Sequence, residues 1–321
     1  MKMEIGSFLE LDLRNSGEFY TGNNVVRLNS ARAGIVHACL LYNVKCIYIP
    51  YYQCPTVGLF LEKNGIQVYR YSLNENFQPE IETNDSTSAF LLVNYFGIFS
   101  GKHLQSISKN FKNVIIDNSQ AFYNQPISNC LNVYSPRKFF GVPDGCYVIG
   151  DNILNNSNYQ QDESSDTAAF LLKRIEKGCS QVYSERMLNE ERINKSGVLQ
   201  MSKLTHSLLS AIDYETIAQK RRQNFLFAHE LYKSINLINP LLFFDDYSVP
   251  MVYPLVLKNK NIVKQLSEIQ IYTGRWWNYV LNETEVDSFE SFLSQYMIPL
   301  PIDQRYSQNE LQFVASKLKE M

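Results

Sequence analysis

The stretch Val133-Tyr-Ser-Pro-Arg-Lys-Phe-Phe-Gly-Val-Pro-Asp-Gly-Cys-Tyr-Val-Ile-Gly150 sets one lysine between two apolar runs. The pattern predicts strands at 131–134 and 146–149, with a turn at Gly-Val-Pro-Asp-Gly. Lys138 then falls in a short loop at the mouth of a sheet, braced by Pro136. A solvated loop lysine is the simpler interpretation of this stretch alone. The alternative is a partly desolvated amine, whose lowered pKa favours the neutral form that makes Schiff bases.

Composition sets the class of protein. The chain has 321 residues, 45% hydrophobic and 19% charged, with a net charge of −2, which is typical of a globular protein of one or two domains. Without a basic stripe, nucleic-acid binding is not expected. No apolar run has the length of a membrane span, and no signal-peptide pattern is seen. The six cysteines form no CxxC pair, so we predict no metal site and expect thiols in a reducing compartment, the cytoplasm.

Strand and helix patterns alternate along the first half of the chain. Strands are predicted at 46–49, 66–71, 89–95, 114–117, 131–134 and 146–149, and helices at 31–41, 58–63 and 103–109. This alternation predicts an α/β fold with a mostly parallel, doubly wound sheet. Ligands of such sheets bind just past the carboxyl ends of the strands. Asp117 and the loop that carries Lys138 both fall there.

The rest of the chain predicts an arm, a helical region and a second domain. Residues 1–24 have no strong period and are expected to form an arm that can pack on a partner chain. A polar surface excursion is predicted at 152–166, and helices dominate 167–235 with a break at 196–197. A strand at 251–257, a helix at 262–269, an apolar stretch at 297–302 and a helix at 307–319 follow. We therefore divide the chain into a large domain, 1–236, and a small C-terminal α/β domain, 237–321.

Three features come in a fixed order along the chain. The first is Ser30 at a predicted helix start, where free backbone N–H groups can cradle a phosphate. The second is a strand-end carboxylate, Asp117, with Gln120 one turn later. The third is Lys138. Further motifs lie between and after them: Asn-Ser-Ala-Arg-Ala at 29–33, Tyr-Ile-Pro at 48–50, Leu-Val-Asn-Tyr-Phe-Gly at 92–97, Ile-Ile-Asp-Asn-Ser-Gln-Ala at 115–121, Pro-Asp-Gly at 143–145 and Ile-Pro-Leu-Pro at 298–301.

In this order the motifs resemble those of the DegT/DnrJ-type sugar aminotransferases, which belong to fold type I of the pyridoxal phosphate enzymes. The resemblance implies a homodimer with pyridoxal 5'-phosphate as cofactor. It implies that Lys138 holds the cofactor as an internal aldimine and then moves the proton, as general base and acid. Asp117 would pair with the pyridine nitrogen and keep it protonated, which makes the ring an electron sink. Gln120 would hydrogen-bond the phenolic oxygen of the ring.

The resemblance also implies how the cofactor is held. Its phosphate would rest on Ser30 and on the backbone amides of Ala31 and Arg32, with Ser135 as a second hydroxyl. Tyr52 is our candidate for the aromatic residue that stacks on the ring. Each residue has an ordinary alternative, since a carboxylate, a serine or a glutamine at these places can simply cap a helix or lie on the surface.

The motifs depart from the family pattern in several places. Ala31-Arg32 stands where the family has Gly-Thr, and Asn94 stands where it has histidine. Residues 197–201 are the counterpart of a Gly-x-Asn-x-Arg stretch but lack its asparagine and arginine. The predicted reaction is transfer of an amino group, from glutamate, to a nucleotide-linked keto sugar. The alternatives are a pyridoxal phosphate enzyme acting on a non-sugar substrate, and a non-catalytic regulatory or binding protein that retains the fold.

Overall fold

A computed structural model describes residues 5–152 and 158–321. One mixed sheet dominates the part of the chain before residue 150, and its strands lie in the order β1-β7-β6-β5-β4-β2-β3. The strands are β1 Val25–Leu28, β2 Cys46–Pro50, β3 Gln67–Tyr71, β4 Ser88–Val93, β5 Val114–Asn118, β6 Leu131–Tyr134 and β7 Cys146–Ile149. Strands β2 to β6 run parallel, and β7 pairs antiparallel with both β6 and β1. The predicted mostly parallel sheet is confirmed.

Burial on both faces explains the central strands. Every residue of β4, β5, β6 and β7 is buried, as expected of near-continuous apolar runs in a parallel sheet covered by helices. Helix α1 (Ala31–Leu41) approaches the sheet closely at Gly34. A Cβ atom there would lie 2.6 Å from Cys146 Sγ and 2.9 Å from Val133 Cγ1, so only glycine fits this contact.

The remaining helices follow the predicted order. They are α2 Pro55–Lys63, α3 Gly101–Ser108, α4 Ala169–Gln181, α5 Tyr183–Lys195, α6 Lys203–Ser210, α7 Tyr214–Tyr232, α8 Ile262–Glu268, α9 Phe289–Tyr296 and α10 Gln308–Glu320. Helix α2 begins at Pro55, three residues before the predicted start, because proline is favoured in the first turn. The predicted break at 196–197 is confirmed by the gap between α5 and α6. Part of the predicted polar excursion, 153–157, lies outside the described residues.

The C-terminal part is built on a two-stranded antiparallel sheet. Its strands are β8 (Val252–Val256) and β9 (Met297–Pro301), paired from Val252 with Pro301 to Val256 with Met297. Helix α7 contacts both β8 and α10, and one continuous buried core extends from the large sheet into this region. The boundary near residue 236 stays a prediction.

The N-terminal segment packs partly on its own chain. Tyr20 donates its hydroxyl proton to the carbonyl oxygens of Phe122 (2.5 Å) and Asn124 (3.0 Å). Glu18 accepts hydrogen bonds from Arg27 Nε (2.8 Å) and from the Tyr147 hydroxyl (2.9 Å). Farther toward the N-terminus the apolar side chains are exposed, among them Ile5, Phe8, Leu9 and Leu11. Residues 1–4 of the expected arm lie outside the described residues. The rest is anchored from about residue 16 onward and exposes apolar side chains before that point.

Candidate active site

Asp117 and Lys138 lie at the same edge of the sheet. Asp117 belongs to β5, and Lys138 ends a short 3₁₀ turn, Pro136–Lys138, that directly follows the neighbouring parallel strand β6. Parallel neighbours end at one edge, so the two side chains converge. Lys138 Nζ donates to Ser119 Oγ at 3.4 Å, two residues past the carboxylate. The structure thus brings together the two residues that the sequence singled out for chemistry.

The Lys138 amine is held in an unusual environment. Its side chain is exposed and lines a cavity of about 750 Å³. Desolvation lowers the pKa of Lys138, and the negative charge of Asp117 opposes that shift without cancelling it. The net result is a lowered pKa, because solvent in a concave site hydrates an ammonium less well than open water does. A larger fraction of neutral amine follows at any pH below the ordinary lysine range.

Asp117 is deeply buried, with 2% of its surface exposed. Its Oδ2 accepts a hydrogen bond from Gln53 Nε2 at 2.9 Å, and its Oδ1 accepts one from the backbone N–H of Ser119 at 2.9 Å. The simple helix cap of the alternative interpretation would account for the second bond and leave the first unexplained. The sequence analysis did not single out Gln53. Its position just past the carboxyl end of β2 already placed it at this edge of the sheet.

Gln120 lies in the interior, which rules out the surface amide as an interpretation. It is 1% exposed, and its Oε1 accepts a hydrogen bond from the backbone N–H of Phe96 at 2.9 Å. That contact needs the chain to turn sharply at Gly97, where φ is +73° and a Cβ would lie 2.5 Å from the Gln120 carbonyl oxygen. The observed partner of Gln120 is therefore backbone, and its bond to a cofactor oxygen stays a prediction.

The predicted phosphate cradle is a regular helix start. Ser30 caps α1, its Oγ accepting from the N–H of Ala33 at 3.3 Å, and it is buried. Asn29 ties the residue before the cap to the segment after α5, donating to Ser196 Oγ and to the Gly197 carbonyl oxygen at 3.1 Å each. Ser135 is buried at the start of the Lys138 turn. Ser135 lies three residues before Lys138, and the contact of either serine with a phosphate stays a prediction.

Two arginines lie beside the first turn of α1 and the lysine. Arg32 is half-buried, with its guanidinium 5.9 Å above the Phe60 ring. Desolvation and the nearby charge of Arg137 lower the pKa of Arg32. Arg137 is paired with Glu190 of α5, yet its Nε is buried and has no partner among the described residues. This end of the site therefore carries more positive charge than its own carboxylate neutralises.

Tyr52 lies in the core between the two parts of the chain. It has no exposed surface, its ring packs edge-on against Trp277 at 4.6 Å between centroids, and Tyr95 is 5.7 Å away. Burial raises the pKa of Tyr52, and its hydroxyl has no partner in the described part of the chain. The structure does not bring Tyr52 to the cavity beside Lys138, so its stacking role stays a prediction with no contact in its favour.

Three further properties bear on the class of protein. Across residues 5–152 and 158–321, no three histidine, cysteine, aspartate or glutamate side chains group as metal ligands. No helix in the same two ranges is long and apolar enough to cross a membrane. All six cysteines are free thiols.

Comparison with known proteins places the fold. No protein-family model matches the sequence, and no curated protein matches it. Solved structures do match: a candidate sugar aminotransferase of Streptococcus pneumoniae in its PLP form has a TM-score of 0.64 at 12% identity, over 92% of this chain and 86% of that one. The sugar aminotransferase CalS13 of Micromonospora echinospora gives 0.62 at 13% over 92% and 87%. A DegT DnrJ EryC1 StrS aminotransferase of Brucella abortus gives 0.61 at 11% over 92% and 85%.

These likenesses extend over nearly the whole chain at very low sequence identity. They confirm the resemblance drawn from the sequence motifs at the level of the fold. The chain has the α/β fold that these sugar aminotransferases share.

Proposed function

We propose that the protein is a pyridoxal phosphate-dependent aminotransferase that moves an amino group, from glutamate, to a nucleotide-linked keto sugar. The observation that carries the proposal is the pair of Lys138 and Asp117. A lysine whose pKa is lowered by desolvation lies beside a buried carboxylate, at the ligand-binding edge of a sheet with this fold. Perturbed titratable groups in such a place are typical of catalytic sites.

The residues present fit the cofactor. A pyridine nitrogen needs a buried acceptor, which Asp117 provides. An aldehyde needs a lysine with an accessible neutral form, which Lys138 provides. A phosphate needs cationic donors, and within residues 5–152 and 158–321 the buried Nε of Arg137 has no partner, next to the half-buried Arg32. When bound, pyridoxal phosphate supplies the electron sink and the carrier of the amino group.

The chain's own groups divide the remaining work. Lys138 Nζ would hold the cofactor while the site is at rest; once released, its neutral amine would accept the proton that leaves the donor's α-carbon and give the same proton back to another carbon of the bound molecule. Its lowered pKa suits this role, since a base works best when its pKa is near the working pH. Asp117, acting only as an acceptor, keeps negative charge at the buried end of the site.

We also propose a homodimer in the cytoplasm. The apolar tip of the N-terminal arm is exposed at Phe8 and Leu9, and α4 exposes Leu172 and Ile175. Leu11 and α4 line the same cavity as Lys138, so a second copy covering them would also complete the site. The six free thiols support a reducing compartment.

A visible absorption spectrum tests the proposed function. The purified protein, loaded with pyridoxal phosphate, should show the band of a lysine-bound cofactor, and glutamate should bleach it. A panel of nucleotide-linked keto sugars should then restore it. Borohydride should fix the cofactor to Lys138, and Lys138→Ala should abolish that labelling. Lys102→Ala, which removes an exposed lysine from α3, is the matched control and should leave the labelling unchanged.

The outcomes separate the candidate functions. If amino acids leave the band unchanged, the protein is not an aminotransferase. If no cofactor binds, the regulatory alternative replaces the enzyme. If another lysine is labelled in Lys138→Ala, the assignment of Lys138 is wrong.

A further inference from the structure

Gln53 is fixed at both ends of its side chain. It is 3% exposed and lies between β2 and α2, at the carboxyl edge of the sheet. Its Oε1 accepts a hydrogen bond from the backbone N–H of Cys54 at 2.7 Å. Its Nε2 donates to Asp117 Oδ2 at 2.9 Å. The side chain thus bridges the start of α2 to the carboxylate that ends β5.

The backbone N–H of Cys54 determines which way the side-chain amide of Gln53 is oriented. A backbone N–H can only donate, so the carbonyl oxygen of Gln53 must face Cys54 and the NH₂ group must face Asp117. Gln53 can therefore donate to the carboxylate but cannot accept from it. The hydrogen bond from Gln53 takes the stronger, charge-assisted form when the carboxylate is ionised.

The carboxylate is held from two sides. Gln53 contacts Oδ2 and the Ser119 N–H contacts Oδ1, so the plane of the group is fixed. Each oxygen accepts through two lone pairs, so these two donors leave acceptor capacity for a third. The arrangement leaves Asp117 oriented and charged, and still able to receive one more N–H.

We propose that Gln53 is a positioning residue for Asp117: it holds the carboxylate charged and oriented toward the ring nitrogen of the bound cofactor. This rests on the proposed function, because the third N–H is then that of the pyridinium. A purely structural role, in which Gln53 only pins the turn between β2 and α2, predicts no dependence on the ring nitrogen. The two roles can therefore be distinguished by comparing the binding of two ligands, one with and one without the ring nitrogen, to the same variant.

The test compares two ligands in variants of nearly unchanged volume. Dissociation constants are measured for pyridoxal phosphate and for 1-deazapyridoxal phosphate, in which carbon replaces the ring nitrogen. Gln53→Met, which removes the donor, should weaken pyridoxal phosphate binding about tenfold to a hundredfold, the range for a hydrogen bond to a charged group. It should change binding of the deaza ligand less than about twofold, within the effect of an ordinary substitution. Gln105→Met, at an exposed position of α3, is the control.

A second variant guards against loss of folding. Gln53→Glu keeps the shape but faces Asp117 with a second acceptor, so it should weaken pyridoxal phosphate binding at least as much as Gln53→Met does. Thermal unfolding and circular dichroism establish that both variants are folded. An equal loss for both ligands, no loss, or tighter binding in Gln53→Met would overturn the proposal. If the wild-type protein binds neither ligand, the proposed function fails, and this inference fails with it for that separate reason.

Discussion

The two ends of the candidate site are built in opposite ways. At the Asp117 end, three side chains are each at most 3% exposed: Asp117, Gln53 and Gln120. Their hydrogen bonds join them to one another or to backbone. At the other end, Arg32 and Arg137 are only half-buried, and one buried guanidinium nitrogen has no partner among the described residues. The first end is held in place by contacts within the protein and keeps acceptor capacity on Asp117, whereas the second has a buried donor without a partner among the described residues.

This difference indicates how each end would act on a bound cofactor. A closed, oriented carboxylate contributes through charge that is already in place when the reaction begins. Half-buried arginines contribute mainly to binding affinity, because a bound anion can accept hydrogen bonds from their guanidinium groups. Loss of the Asp117 charge itself should therefore mainly slow the reaction, whereas substitutions at the arginine end should act on cofactor binding alone.

The largest expected effect is that of Asp117→Asn. The variant should retain cofactor but transfer the proton roughly a hundredfold more slowly or worse, the scale of losing one preorganised electrostatic contact. Single-turnover kinetics with glutamate measure this step. Asp246→Asn, at an exposed position, is the control. Turnover near that of the wild type would show that Asp117 is only a cap and would remove the proposed contrast between the two ends.

At the arginine end the expected effect is smaller and is on binding. Arg137→Met and Arg32→Met should each weaken pyridoxal phosphate about tenfold to a hundredfold, since each removes a charged donor. Pyridoxal, which lacks the phosphate, should bind each variant as it binds the wild type. Arg14→Met, at an exposed position of the arm, is the control. Equal losses for the two ligands would mean that the arginines hold the fold and do not recognise the phosphate.

The sequence alone was enough to predict the sheet and the pair of Asp117 and Lys138. Buried parallel strands are apolar runs, and their shared edge is determined by chain direction, so residues that directly follow them can be placed without a structure. Strand β1 was missed because it has only four residues, with Arg27 among them, and depends on pairing with β7. Helix α9 was missed although Ser288 caps it, because its eight residues span barely two turns and are too few to establish a helical period.

The contacts that distinguish the two ends could not be predicted. Gln53 and Asp117 are 64 residues apart, and β2 and β5 are separated by β4 in the sheet, so only the strand order brings them together. The pairing of Arg137 with Glu190 depends on how α5 packs over the Lys138 turn. Local patterns do not encode such packing, whereas the N-terminal cap at Ser30 is local and was predicted.

A pH measurement connects the two ends through Lys138. Desolvation lowers the pKa of Lys138, and the charge of Asp117 raises it again in part. Asp117→Asn removes that charge while Arg137 and Glu190 remain, so the ammonium loses stabilisation and the pKa should fall further. In the cofactor-free protein, the rate at which trinitrobenzenesulfonate modifies Lys138, mapped by mass spectrometry, should therefore reach its midpoint at a lower pH. Lys102 in the same sample serves as the internal reference, and an upward shift at Lys138 would contradict the sign.

The smallest expected effect concerns Glu190, which shares its Oε1 between Arg137 and Arg186, the latter at 3.9 Å. Glu190 is partly exposed, so its pairing with Arg137 contributes only about 0.2–1 kcal/mol. If Glu190 competes with the phosphate for Arg137, Glu190→Gln should free the guanidinium and tighten pyridoxal phosphate binding by roughly 1.5-fold to fivefold. Pyridoxal binding should not change.

Glu191→Gln is the matched control, because Glu191 is adjacent, exposed and paired with Lys195 one turn away. Weaker binding in Glu190→Gln would reverse the interpretation: Glu190 would then orient Arg137 toward the phosphate, and the arginine end would be preorganised in the same way as the Asp117 end. Tighter binding in Glu190→Gln would mean that the arginine end, unlike the Asp117 end, is not preorganised. Weaker binding would mean that the two ends differ only in burial.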